Sequence, residues 1–445
     1  MYQVSGSFYT QGLILEAIFY LTMNQIKRYF LLISILIVTT FQSFGAAEAK
    51  QRFPKPEFAN GYTQPDTTAP TLRFAFLEYF DVFVLLVVLS VTTWFVLKKR
   101  SRRGVFWTSV FSLLYFGFYR EGCICSIGSI QNVVLALVDS TYAIPLTALL
   151  FFLLPLVFSL FFGRTFCAGA CPLGAIQDII VLKPIELPKW IQKVLGLIPY
   201  LYLGLAVLYV ATKSEFIICR YDPFVGFFRF NAPFDMLILG ILFLAVGVFV
   251  ARPYCRFFCP YGVLLGWMSR FSSRHMSITP AACIQCKLCS NSCPFGAIDE
   301  PIAETGKRRS NVNRLMTYFV LLPLWIGIGG FAGSMVHIPL SKFNKTVYLA
   351  DQIIEHPEVK NDPKNIDVRT FLGSGKSTEQ LVQEAHDIQR QFYWGGWILG
   401  GFMGLIIGSS LINLSKFRRR EDWEPNKTNC LSCARCMDYC PVKKE

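Results

Sequence analysis

Seven apolar stretches, each near the ~20 residues that a bilayer's hydrocarbon core demands of a helix, leave this 445-residue chain few folds to choose from. They run over 76–97, 105–120, 142–163, 192–211, 234–251, 315–337 and 391–414, and the second is short. Composition agrees. The chain is 53% hydrophobic and 16% charged, where a soluble domain carries about 25% charge. The expected fold is therefore an all-α polytopic membrane protein.

The N-terminal part reads as a leader. Met23, Lys27 and Arg28 open a basic segment, an apolar run follows from Tyr29 to Val38, and small residues lead to Ala47-Glu48-Ala49. Residues 1–49 are thus a signal peptide or signal anchor, with Met23 as a candidate start. Residues 50–75 are polar and rich in proline (Pro54, Pro56, Pro65, Pro70) and are expected in the periplasm. A five-span membrane domain then covers 76–251. A cytoplasmic loop (252–314), a span (315–337), a periplasmic segment (338–390), a last span (391–414) and a cytoplasmic tail (415–445) complete the chain. Lys and Arg number 25 in the segments this topology places inside, against 15 outside. That asymmetry is the positive-inside rule, and it agrees with the leader. It also accounts for the net charge of +14. No soluble segment carries a basic stripe interleaved with aromatics, so nucleic-acid binding is not expected.

The chain has 15 cysteines, and they come in tight clusters rather than the spread of a disulfide framework. Cys283-x2-Cys286-x2-Cys289-x3-Cys293-Pro294 is one bacterial ferredoxin pattern, and Cys430-x2-Cys433-x2-Cys436-x3-Cys440-Pro441 is another. Three thiolates two residues apart reach three irons of a cubane, and the fourth reaches away to the other cluster of a pair. The following Pro fixes the chain's exit. Zinc sites share the x2 spacing, but four Cys within eleven residues followed by Pro favour a cubane. The halves are expected to join into one cytoplasmic two-cluster 2[4Fe–4S] unit, with Cys283, Cys286, Cys289 and Cys440 on one cluster and Cys430, Cys433, Cys436 and Cys293 on the other. Close packing of the intervening spans would bring them together: Gly396, Gly400, Gly404 and Gly408 form a small-residue ridge, faced by Gly329 and Gly333.

Cys167-x3-Cys171-Pro172 and Cys255-x3-Cys259-Pro260 each follow a span at its cytoplasmic end. Cysteines at i and i+4 share a helix face, so these four are a candidate third redox centre, a further iron–sulfur cluster or a dithiol relay. The alternative is a pair of structural turns with inert thiols. A repeat links Cys171-Pro-Leu-Gly-Ala-Ile-Gln-Asp with Cys125-Ser-Ile-Gly-Ser-Ile-Gln-Asn and with Cys259-Pro-Tyr-Gly-Val-Leu. Cys123, Cys125 and Cys219 fall outside by this topology and form a candidate outer-side redox site, for which a fourth ligand is missing. A disulfide there is the other reading, though a Cys-x-Cys bond is strained.

Weaker features carry less. Gly373-Ser-Gly375-Lys376-Ser377-Thr378 lacks the first glycine of a phosphate loop, because Thr370 stands there. Glu78 and Asp81 lie one turn apart near a membrane edge, where solvation is the expected state. His275, His337, His356 and His386 form no cluster, and no Cys-x-x-Cys-His occurs, so covalent haem c is not expected. No FMN or NAD fingerprint is present.

The two ferredoxin motifs and the paired Cys-x3-Cys-Pro motifs together resemble the NosR/NapH-type membrane ferredoxins, or polyferredoxins, over residues 75–445. That resemblance implies an electron-transfer subunit rather than a stand-alone enzyme, with no catalytic residues of its own. It implies a bacterial inner-membrane location, a cytoplasmic or quinol donor, and a periplasmic acceptor such as nitrous oxide reductase. NosR carries a periplasmic FMN-binding domain before its spans, where this chain has some twenty-five residues, so a flavin step would need a separate protein. NapH-like members have fewer spans and both ferredoxin motifs in one loop. Two alternatives compete. The chain is also similar to the RdxA/CcoG group, which acts in copper handling for oxidase assembly, yet 338–390 offers only His356 and His386 and no Met. A redox-sensing regulator would need an output domain.

Overall fold

A computed structural model describes residues 74–122, 126–278 apart from 183, 186 and 231–232, then 283–301, 312–356, 365–415, 420 and 422–442. The leader, the 50–73 segment, Met23, Cys123, Cys125 and the basic runs at 307–309 and 418–419 lie outside the described residues.

The described chain is helical. α1 (Ala75–Trp94) continues as a wide π turn to Lys99. α2 (Arg102–Ser112), capped by the Ser101 side chain, likewise widens over Leu113–Tyr119. Then come α3 (Ser129–Val138), α4 (Leu146–Phe162), α5 (Pro172–Ile180), α6 (Lys189–Leu195) and α7 (Ile198–Ala211). The short α8 (Ile217–Tyr221) and α9 (Val225–Arg229) precede α10 (Phe234–Phe249), α11 (Pro253–Phe257) and α12 (Pro260–Arg270). α13 (Leu288–Asn291) and β1 (Ile298–Asp299) follow. α14 (Val312–Met335), α15 (His337–Ser341), α16 (Lys345–Glu355), α17 (Ile366–Gly373), α18 (Thr378–Ser415), β2 (Glu424–Pro425) and α19 (Arg435–Asp438) complete it.

All seven expected stretches are helical, but their lengths differ. Among the described residues four helical segments are long and apolar enough to cross a membrane: Phe76–Lys99, Lys189–Ala211, Met316–Met335 and Thr378–Asn413. α4 and α10 have 17 and 16 residues, or roughly 25 Å at 1.5 Å per residue, short of a ~30 Å core. The reason is local. α4 stops at Gly163, whose φ of 80° only glycine adopts freely, and α10 stops just before Arg252, also left-handed at φ 50°.

The α14–α18 pair forms as the glycine pattern demands. A Cβ on Gly329 would sit 2.3 Å from the Gly400 carbonyl oxygen, and one on Gly333 would sit 2.1 Å from that of Gly396. Backbone touches backbone, so any side chain would part the helices. Gly408 differs from its ridge-mates, since its Cβ would meet side chains, Leu322 and Trp325, rather than backbone. The last span is also not a free-standing segment of 391–414. It is the C-terminal part of one 38-residue helix, α18. Its first turns join α16 and α17 around a small core of Val347, Val368, Phe371, Leu381 and Ala385. The glycine–lysine stretch resolves into a helix cap: Ser377 Oγ accepts from the Gln380 amide and Gln380 Oε1 accepts from the Ser377 amide, both at 3.2 Å.

Candidate redox centres

The two ferredoxin halves meet. β1 and β2 pair antiparallel, Ile298 opposite Pro425 and Asp299 opposite Glu424. The Asn426 amide donates to the Ala297 carbonyl at 2.8 Å, and Arg420 pairs with Asp299 at 2.8 Å. Around this ladder the cysteines pack among Val96, Val105, Met276, Phe295, Trp423 and Leu431.

Within the unit the thiols sort into two groups, each taking its fourth member from the other half. Cys283, Cys286, Cys289 and Cys440 line one narrow space of about 20 Å³. Cys436 lies near Cys433, Cys430 and Cys293 and also near Cys289 of the first group, and Cys430 lies near Cys433 and Cys293. Burial pushes the Cys430 thiol up to about 12, with Cys433 and Cys293 adding to it. Such thiols become thiolates only against a strong local positive charge, which a metal supplies.

A third group lies against the second. Burial raises the Cys259 thiol, and its neighbours Cys255, Cys171 and Cys167 raise it further. The two Cys-x3-Cys-Pro motifs thus converge. They do so without sharing a helix face, contrary to the i, i+4 expectation. Cys171 and Cys259 are the extended caps of α5 and α12, with Pro172 and Pro260 at the first helical position. Cys167 lies in a π turn and Cys255 in α11. The motif breaks the helix between its cysteines and turns both thiols to one place.

Gln177 organises this group. Its Oε1 accepts the Tyr254 amide at 3.1 Å, and its Nε2 donates to Cys255 Sγ at 3.3 Å. The sequence repeat has a structural counterpart here: Gln131, which aligns with Gln177, accepts the Ile218 amide at 3.0 Å and the Cys219 amide at 3.4 Å. Each glutamine holds the backbone just before or at a cysteine. Cys219 is exposed and lines a polar chamber of about 460 Å³ with Glu78, Asp81, Arg120 and Asp222. Its expected companions Cys123 and Cys125 are not among the described residues.

Sequence reading missed the charged knot between the second and third groups. Asp178, buried on α5, faces Arg102, Arg252 at 3.4 Å and Arg435 at 3.7 Å. Burial alone would raise its carboxyl, but the three guanidinium groups reverse this and hold it well below the ordinary carboxylate range. Arg252, fully buried, also donates to the Cys167 carbonyl. Arg102 donates to the Cys433 carbonyl at 3.1 Å, and Arg164 to that of Thr428 at 3.1 Å. The repeat could have flagged Asp178, where its counterpart is Asn132.

The solvation expected for Asp81 is overturned. It is 0% exposed, paired with Arg120 at 2.9 Å and accepting from Tyr115 Oη at 2.8 Å. Burying this carboxylate is possible because α2's widened end brings both partners to it.

The donor chemistry fits iron–sulfur groups. Around the cysteines, Trp423 Nε1, Ser432 Oγ and Arg164 Nε are buried without hydrogen-bond partners among the described residues. Native proteins rarely leave such donors unpaired, and sulfide or thiolate sulfur would satisfy them.

Comparison with known proteins agrees with this. A 4Fe-4S binding domain model matches residues 144–197, 232–279 and 289–313, and a second 4Fe-4S binding domain model matches 276–299. NirI of Paracoccus denitrificans is 29% identical over 161 residues, covering 32% of this chain and 22% of NirI. The regulatory protein NosR of Stutzerimonas stutzeri is 28% identical over 222 residues, covering 45% of this chain and 29% of NosR. Over part of its length the chain is similar to NosR-type membrane iron–sulfur proteins. YccM of Escherichia coli, described as a candidate electron transport protein, is 26% identical over 187 residues, covering 38% of this chain and 52% of YccM. The matched part thus spans about half or less of these relatives. No solved structure matches the chain. These matches support a membrane iron–sulfur protein with an electron-transport or regulatory role.

Proposed function

We propose that the chain is an electron-transfer subunit of a bacterial inner membrane that links a cytoplasmic donor or the quinone pool to a periplasmic reductase. One observation carries this reading: the cysteines of the two ferredoxin halves come together, and a third group of four lies beside those of the second half. In this reading Cys283, Cys286, Cys289 and Cys440 hold one [4Fe–4S] cluster. Cys430, Cys433, Cys436 and Cys293 hold a second. Cys167, Cys171, Cys255 and Cys259 hold a further centre. When bound, each cluster would take up and release one electron.

The chain's own residues do the rest. The apolar shell of Val96, Met276, Phe295 and Leu431 keeps water from the thiolates. Arg252 and Arg164 place fixed positive charge between the second and third groups, offsetting the cost of burying anionic sites there. The Asp178 knot ties α2, α5 and the second ferredoxin half together, so the spacing between centres is set by a rigid contact.

Seven spans with a cytoplasmic C-terminus would put these centres at the cytoplasmic face. Cys219, with Cys123 and Cys125, would then serve an outer site in contact with the acceptor. The destination proposed here is nitrous oxide reductase or its maturation, with a separate flavoprotein for any flavin step. The test is iron, zinc and acid-labile sulfide per chain on anaerobically purified protein, with EPR of the reduced state. About eight irons with coupled signals are expected from the ferredoxin unit, and about ten to twelve if the third group is filled. Zinc without sulfide overturns the proposal.

A further inference from the structure

Trp423 enters none of the expected motifs, yet it lies against the first thiol group. It is 6% exposed, and its indole lines the same space as Cys283, Cys286, Cys289 and Cys440. Its Nε1 is buried and has no hydrogen-bond partner among the described residues. An indole N–H can donate but not accept, so a buried one needs an acceptor. The other side chains lining that space are Ile278, Ile284, Lys287 and Val442, and none of them supplies an acceptor. Sulfur is what the site offers.

We infer that Trp423 donates its indole N–H to a sulfur of the iron–sulfur group held by Cys283, Cys286, Cys289 and Cys440, and thereby raises that group's reduction potential. The inference rests on the cluster assignment proposed above. The sign follows from charge. Reduction adds one negative charge to the group, and a donor stabilises the more negative state more strongly. The effect is expected to be largest on the first group, whose space the indole lines. The second group has its own unpaired donor, Ser432 Oγ, in the loop between Cys430 and Cys433.

Two measurements on the full-length, anaerobically purified protein test this. The first is an EPR-monitored redox titration of W423F, which keeps a ring and removes the N–H. Iron and sulfide per chain should stay unchanged, one [4Fe–4S] midpoint should move to lower potential, and the other should hold. Unmoved midpoints, or an equal move of both, overturn the inference. The second uses the unsubstituted chain labelled with ¹⁵N at the tryptophan indole. Pulsed EPR of the reduced state should show an ¹⁵N coupling to one cluster, and its absence overturns the inference even where W423F fails to load iron. A chain showing no [4Fe–4S] signal at all counts instead against the cluster assignment itself.

Discussion

The two ferredoxin halves follow one spacing rule but live in different surroundings. Cys430, Cys433 and Cys436 are all buried, whereas Cys286 is exposed and Cys283 partly so. The second half is clamped to the membrane-end helices by Arg102, Arg164 and Ser269, which donate to the Cys433, Thr428 and Lys427 carbonyls. The first half is held more loosely, through Arg256 on the Phe295 carbonyl and Arg100 on Ser277. Identical motifs therefore specify ligands, while the surroundings specify access and potential. The open site suits exchange with a partner in solution, and the enclosed one suits transfer to the third group.

Cysteine substitution should break this contrast most severely. Cys436→Ser is expected to cost the enclosed site its iron, about four per chain, and to lower protein yield. Cys286→Ser should cost a similar amount of iron with little loss of yield. Iron analysis and detergent-extracted yield distinguish the two, and equal yields would remove the contrast.

Next in size is Asp178→Asn. It leaves three arginines facing no anion in a buried place, a loss of ~3–5 kcal/mol. Thermal unfolding in detergent should show it, with the second and third groups losing iron before the first.

The pH response of His275 is smaller. Burial, with Lys427 nearby, lowers its imidazole to about 4, below the ~6.5 of an unfolded chain. The unfolded state therefore takes the proton first. Stability from this site is complete above pH 6.5 and is lost as pH falls through 4, amounting to at most ~3 kcal/mol. His275→Asn should flatten the stability profile in that window, and an unchanged profile would show that this histidine is not the acid-labile contact.

Gly400→Ala should have the smallest effect. Its added Cβ would meet the Gly329 carbonyl oxygen at 2.0 Å, an overpacking worth ~1–3 kcal/mol. Because α14 and α18 carry the second half back to the first, melting of the β1–β2 contact should follow melting of this pair.

Sequence was a good guide wherever chemistry is written in spacing. The Cys and Pro positions marked two motifs far apart in the chain, and the structure brings them together through β1 and β2. The glycines at 329, 333, 396 and 400 gave a helix contact that the structure contains. It was a poor guide to burial. Asp81 looks like an edge acid and Asp178 carries no signal on its own helix, and only partners distant in sequence, Arg120 and Arg252, turn them into interior ion pairs. Helix ends were also hidden. The break between Cys167 and Cys171 comes from a π turn meeting a proline-started helix, and apolar periodicity cannot signal it.

The ladder joining Ile298–Asp299 to Glu424–Pro425 has a consequence for biogenesis. A ribosome makes the first ferredoxin half well before the second, with α14 and α18 between them. Until those two helices are in place, Cys283, Cys286 and Cys289 lack Cys440, and Cys293 has no group to complete. On the cluster assignment proposed above, metal loading of the unit would follow membrane insertion, and a chain stalled at α18 would present half-built sites to the cell's proteases.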